Sequence, residues 1–159
     1  HRWYRRESIV AGWMTRQDRE LAIADNRAYV AAVLAELERD FAPRGAPVFA
    51  GFSQGVAMAY RAAALPGRRA AGVIALAADV PPELAGDALA GLPPVLIGRG
   101  SADPWYDERR MDGDIQRLRD AGVTVRTCVF DGAHEWTAGF AEACGAFLST
   151  LEIGTFPEP

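Results

Sequence analysis

Three residues that could together cleave an acyl bond occur in this chain in the order serine, aspartate, histidine. The serine is Ser53, at the centre of Gly51-Phe52-Ser53-Gln54-Gly55. This G-x-S-x-G pattern sets a serine on a sharp strand-to-helix turn. The flanks fit the pattern. Pro47-Val48-Phe49-Ala50 reads as a short buried strand, and Val56 to Leu65 reads as a helix. A turn this tight brings the residues two before and two after the serine together, so a side chain at Gly51 or Gly55 is expected to crowd the other. The helix beneath Ser53 then presents backbone N–H groups and its positive dipole end to the reacting centre. The backbone N–H of Gln54, the residue after the serine, is the candidate oxyanion donor. An idle serine on a glycine-flanked turn is the bland alternative, and five residues alone do not decide between them.

A hydroxyl is a weak nucleophile and needs a base, for which histidine has a suitable pKa. The chain has two histidines, and His1 is its first residue, so His134 is the internal candidate. It lies in Gly132-Ala133-His134-Glu135-Trp136, just after the apolar run Val123 to Phe130, on a loop leaving the carboxyl end of a predicted strand. A surface histidine with a local hydrogen bond is the alternative there. The base needs an acid to hold its tautomer. Asp103 follows the predicted strand Pro94 to Gly98 in the turn Arg99-Gly100-Ser101-Ala102-Asp103-Pro104. Ordinary Asp-Pro turn chemistry is the competing explanation. Asp107 and Asp131 are rivals, the first better suited to a helix start and the second to shaping the histidine's own loop. Ser53, Asp103 and His134 follow the chain order nucleophile, acid, base, and their spacing leaves room for a strand-helix unit between each pair.

Composition narrows the classes. At 159 residues the chain can build one domain, residues 1–159, with a sizeable core. A hydrophobic fraction of 50% is ordinary for a globular protein. A net charge of −4 without a basic tail argues against nucleic-acid binding. The longest apolar runs, such as Ala70 to Ala78, are too short to span a bilayer, no secretory signal is visible, and a cytoplasmic location is expected. All 17 basic residues are arginine, which excludes a Ser-Lys dyad, a lysine Schiff base and a P-loop lysine. Cys128 and Cys144 read as buried thiols, with a disulfide left open. No His/Cys cluster has metal-ligand spacing, so no catalytic metal is expected.

The elements that must position these residues can be read along the chain. Asp18 to Phe41 reads as a helix whose apolar stripe runs through Leu21, Ala24, Ala28, Ala31, Leu34, Ala35 and Leu37. After the elbow helix come a strand at Ala71 to Ala77 and a Pro/Gly-bearing connection, Asp79 to Pro94, with a helical turn at Glu83-Leu84. The strand before Asp103, a helix from Arg109 to Ala121, the strand before His134 and a last helix from Thr137 to Leu151 follow, and Gly154 to Pro159 reads as a loose tail. Strands separated by helices predict a parallel sheet with right-handed crossovers, its functional loops at the carboxyl ends. Trp105, Tyr106 and Trp136 flank the acid and base loops and are candidates to line a substrate pocket, with core packing the alternative; Trp13 and Met14 are weaker candidates.

These residues resemble the phospholipase/carboxylesterase family of α/β-hydrolases, which includes acyl-protein thioesterases. The likeness rests on Gly51-Phe52-Ser53-Gln54-Gly55 with its alanine-rich helix, the Asp103-Pro104 turn, Gly132-Ala133-His134-Glu135, and Arg2-Trp3-Tyr4 ahead of the long helix. It implies a three-layer α/β-hydrolase-like fold with a mostly parallel sheet. It also implies Ser53 as nucleophile, Asp103 as orienting acid and His134 as base in the hydrolysis of a small-molecule carboxylic ester or thioester. A short or medium acyl chain and no cofactor are expected, and a homodimer is compatible with it. A non-catalytic binding domain, a peptidase or an acyltransferase of the same fold are the alternatives. The sequence departs from the family at Arg99-Gly100, where many members carry His-Gly. Nothing in it matches the family's early strands or the His-Gly-rich loop that gives a second oxyanion N–H. The chain is therefore expected to be a C-terminal portion of a longer hydrolase.

Overall fold

In the computed structural model, residues 18–41, 43 and 45–151 are described. Arg2-Trp3-Tyr4, Trp13, Met14 and the tail from Gly154 lie outside them. Along the chain run α1 (Arg19–Phe41), β1 (Val48–Phe52), α2 (Gln54–Ala63), β2 (Gly72–Leu76), α3 (Asp87–Ala90), β3 (Val95–Gly100), α4 (Glu108–Asp120), β4 (Val125–Phe130) and α5 (Ala138–Leu148). The strands form one parallel sheet in the order β1-β2-β3-β4. Each strand is followed by a helix, so every strand's carboxyl end opens on the same side, where the loops bearing Ser53, Asp103 and His134 arise.

Period-2 alternation splits the core between two faces. On one face Val73, Ala75, Val95 and Ile97 pack with Val56 and Tyr60 of α2 and Met111 and Leu118 of α4. On the other Ile74, Leu76 and Leu96 meet Phe140, Cys144 and Phe147 of α5. β2 is buried at all five residues, as a central parallel strand covered on both faces should be. Caps set the helix starts: Asp107 Oδ1 accepts the Arg110 N–H at 2.9 Å, and Thr137 Oγ1 accepts the Phe140 N–H at 3.2 Å. Asp107 thus does the capping work expected of it. Both cysteines are free thiols on the α5 side, and burial raises their pKa values. No described helix is long and apolar enough to cross a membrane.

Three local expectations need correction. The expected α1 stripe packs only in part: no α1 residue is fully buried, Ala31 and Leu34 are half-buried, and Leu21, Ala24, Ala28, Ala35 and Leu37 are exposed. The half-buried positions are Ala22, Ile23, Asn26, Arg27, Val30, Ala31, Val33 and Leu34, on the side toward α2. Alanines spread around α1 make a stripe drawn through them ambiguous, and the tertiary contact decides. The short helix of the β2–β3 connection is Asp87–Ala90, while Leu84 closes only a turn onto the Pro81 carbonyl at 3.1 Å. Arg99 and Gly100 belong to β3 rather than to the turn after it, paired in register with Val129 and Phe130.

Candidate active site

The elbow is built by backbone geometry. Ser53 takes φ 53° and ψ −126°, a left-handed conformation that costs a non-glycine residue about 1–3 kcal/mol. Its N–H donates to the Leu76 carbonyl at 2.9 Å, and its own carbonyl accepts the Val56 N–H at 3.0 Å. The two elbow glycines are not equivalent. A Cβ on Gly51 would lie 2.5 Å from the Gly55 carbonyl carbon and oxygen and 2.6 Å from the Val56 nitrogen. A Cβ on Gly55 would meet nothing within 4 Å. The expected crowding therefore applies at Gly51 alone, because the Gly51 Cβ vector points into the helix start while the Gly55 vector points away. Gln54 is the first residue of α2, so its N–H belongs to the first turn of that helix.

Asp103 and His134 are brought together from two strand ends. Asp103 Oδ2 lies 2.9 Å from His134 Nδ1. Asp103 Oδ1 accepts the N–H groups of Trp105 at 2.9 Å and Tyr106 at 3.1 Å. Burial pushes the Asp103 carboxyl upward, but these two backbone N–H groups and His134 outweigh it and hold its pKa below the usual aspartate value. The two loops are stitched by Ser101 N–H to the Phe130 carbonyl at 2.8 Å and Ala102 N–H to the Gly132 carbonyl at 2.9 Å. Gly100 permits this approach, since a Cβ there would run into the carbonyl oxygens of Ala133 and Gly132. Of the rival acids, Asp107 is the α4 cap and Asp131 is exposed.

The His134 ring sits between two aromatic rings. Phe52, the neighbour of Ser53, is 4.8 Å away by ring centroids, and Trp105 meets it edge-on at 4.6 Å. The Phe52 contact brings the elbow and the histidine loop side by side. Among the described residues, no hydrogen bond joins Ser53 Oγ to His134. Trp136 packs edge-on against Phe140 at 5.0 Å and is 46% exposed. Tyr106, expected at the pocket, is instead a core residue at 1% exposure whose hydroxyl donates to Asp114 Oδ2 at 3.0 Å. The same carboxylate oxygen accepts the Val80 N–H at 3.0 Å. Burial, the largest effect, and the nearby Asp79 raise the Asp114 pKa to about 6, against the hydrogen bonds from Val80 and Tyr106.

A cavity of about 150 Å³ opens beside Ser53. Its walls are Ser53, Gln54, Ala57 and Arg61 of the elbow helix, Arg19, Ala22 and Ile23 of α1, and the segment Ala78 to Pro82 after β2. None of Trp105, Tyr106 and Trp136 lines it. The segment Asp79-Val80-Pro81-Pro82 was legible as a strand-end loop, and the carboxyl-end rule could have singled it out. The α1 residues could not have been found, because their role depends on how α1 lies over α2. Among the described residues no group of three or more His, Cys, Asp or Glu side chains could hold a metal ion.

A parallel sheet covered by helices, with a strained serine at one strand end and an Asp–His pair at two others, defines an α/β-hydrolase-like architecture. Comparison with solved structures gives the same class. The esterase PE8 is 25% identical with a TM-score of 0.66, the match covering 86% of this chain and 68% of that one. A phospholipase/carboxylesterase from Dyadobacter fermentans is 27% identical with a TM-score of 0.64, covering 87% and 70%. The Bacillus cereus carboxylesterase is similar in fold, with a TM-score of 0.68 at 16% identity, covering 89% and 66%. This chain is thus structurally similar to the phospholipase/carboxylesterase group of hydrolytic enzymes, and spans about two thirds of the length of these structures. No family model and no curated protein sequence matches it.

Proposed function

We propose that this protein hydrolyses a small-molecule carboxylic ester or thioester through an acyl-enzyme on Ser53. Ser53 Oγ attacks the carbonyl carbon while His134 takes its proton. The oxyanion is received at the start of α2, with the Gln54 N–H as one donor. His134 returns the proton to the departing alkoxide or thiolate. Water, deprotonated by the same histidine, then releases the acid and restores the serine. Asp103 holds the imidazole in the tautomer with Nδ1 protonated, and its lowered pKa keeps it ionised for that task. The observation that carries the reading is the Asp103–His134 contact of 2.9 Å, with the ring laid against the elbow residue Phe52. A serine–histidine hydrogen bond is often formed only once substrate is bound, so its absence at rest is compatible with the mechanism.

The experiment is labelling with a fluorophosphonate, followed by peptide mapping. The expected adduct is on Ser53, abolished by Ser53→Ala and strongly slowed by His134→Ala. A wild-type protein that hydrolyses no p-nitrophenyl ester and takes no label at Ser53 would sink the enzymatic reading in favour of a binding domain.

A further inference from the structure

The cavity beside Ser53 ends in a cluster of charge that the hydrolytic mechanism does not use. Glu83 Oε1 accepts Nε of Arg61 at 2.8 Å and Nη2 of Arg61 at 2.6 Å, while Glu83 Oε2 accepts Nη2 of Arg19 at 2.9 Å. Arg19 and Arg61 both line the cavity. Arg61 is 95% buried by its 5% exposure, unusual for an arginine and tolerable only with a paired charge. Asp79, the acid among the described wall residues, is matched by Arg110, whose Nη1 lies 2.9 Å from its Oδ2. Two guanidinium groups thus share one carboxylate, and the wall keeps one positive charge in excess. A guanidinium has five N–H donors, and Glu83 takes two from Arg61 and one from Arg19.

The position of this charge relative to Ser53 is set by one helix face. Gln54, Ala57 and Arg61 recur at the spacing of a single α-helical face, and all three line the cavity. The rise from Gln54 to Arg61 is about 10 Å, shortened by the backward lean of helical side chains toward the N-terminus. A cavity near 150 Å³ holds a group of about six carbons, the size of benzene. Ala22, Ile23, Ala57 and Val80 give the cavity an apolar part of its wall. His134 and Trp105 are not among its walls. The leaving group must depart on the His134 side, where it is protonated, so the cavity takes the group that stays on the serine.

We infer that the cavity is an acyl pocket selecting short acyl groups that end in a carboxylate, as in esters or thioesters of small dicarboxylic acids, with Arg19 and Arg61 receiving the free carboxylate. This rests on the esterase reading and goes beyond it by naming the acyl class. Glu83 holds the two arginines apart as a fixed counter-charge. Its own burial raises its pKa, but a backbone hydrogen bond and the two arginines lower it on balance, so it stays ionised.

Two measurements test the pocket. The first compares p-nitrophenyl hemiglutarate with p-nitrophenyl pentanoate, which have the same number of acyl carbons and differ in the terminal carboxylate. The expected ratio of kcat/KM is about tenfold in favour of the hemiglutarate, as a charge-assisted contact in a partly buried site supplies. Arg19→Gln should lower that ratio and Glu83→Gln should raise it. A wild-type ratio of one or less, or a ratio that Arg19→Gln leaves unchanged, overturns the inference while hydrolysis of the pentanoate leaves the esterase reading intact. The second measurement needs no turnover. In the Ser53→Ala protein, monomethyl glutarate should shift the Arg19 and Arg61 Nε–H NMR signals, and methyl pentanoate should not. Equal shifts with both esters, or none with monomethyl glutarate, overturn the inference whatever the enzyme's activity.

Discussion

The unequal elbow glycines give a sharp test of how the serine is held. Gly51→Ala adds one carbon whose ideal position is 2.5 Å from two backbone atoms of Gly55 and 2.6 Å from the Val56 nitrogen. Comfortable contact needs about 3.5 Å, so the strand end and the helix start must part by about 1 Å. Neither neighbour is the tip of a side chain that could swing away; both belong to the backbone that carries Ser53 and Gln54. Overpacking of this kind costs about 1–3 kcal/mol of stability. A displacement of about 1 Å at the reacting groups costs about a hundredfold in rate. Gly55→Ala adds the same carbon where nothing lies within 4 Å, inside a helix and at a φ an alanine accepts. It should stabilise by about 0.4–1 kcal/mol. Urea denaturation of both variants gives the stability difference, expected to be about 1.4–4 kcal/mol between them. The rate of fluorophosphonate labelling gives the functional difference. If Gly55→Ala is as damaging as Gly51→Ala, or Gly51→Ala labels at the wild-type rate, the steric account of the elbow is wrong.

Asp103→Asn keeps an oxygen for the Trp105 and Tyr106 N–H groups and turns its amide toward His134 Nδ1, fixing the wrong tautomer. The kcat for p-nitrophenyl butyrate should fall by about 10⁴-fold, and a loss under tenfold would remove Asp103 from the orienting role. Asp114 has a folded pKa of about 6 against 3.8 for an ordinary aspartate. Its folded state therefore binds more protons than the unfolded state between these values, so its contribution is complete below about pH 4 and lost as pH rises through 6. Wild type should lose about 2 kcal/mol relative to Asp114→Asn between pH 4 and 7.5, read from urea midpoints at each pH; parallel curves would refute the shift. Gly100→Ala should separate the Asp103 and His134 loops and reduce kcat more than KM, because its Cβ meets the backbone of the base loop and no part of the cavity.

How much of this was legible in the sequence follows from which forces are local. The four strands were readable because runs such as β2 and β3 are short and apolar with proline or glycine nearby, which leaves few alternatives. The placement of Ser53, Asp103 and His134 on one side of the sheet was readable because each sits within a few residues of a strand end, and a parallel sheet gathers strand ends by topology alone. The cavity was not readable. Arg61 looks like an exposed residue of an alanine-rich helix, and only the contact between α1, α2 and the Pro81-Pro82 segment buries it. Tyr106 shows the same dependence on tertiary packing. Its proximity in sequence to Asp103 suggested a pocket, whereas one turn of chain rotates its ring into the core and its hydroxyl onto Asp114.

The elbow helix ties the reaction to the pocket through its dipole. Its amino end carries Ser53 and Gln54, where partial positive charge favours an oxyanion. An acyl group laid along the same face has its far end at the carboxyl end of α2, where partial negative charge opposes a second anion. A dicarboxylic acyl group is then well placed at one end and badly placed at the other unless a cation stands at that turn. Arg61 occupies the last turn of α2, where its charge complements the helix, and Arg19 adds a second guanidinium from α1 across the cavity. Glu83, bound to both, keeps the pair from repelling each other in the resting protein without cancelling their sum. An apolar acyl chain would need none of these charges. Glu83 already pairs the buried Arg61, so the charge that an acyl carboxylate would match is the surplus of two guanidinium groups over one carboxylate.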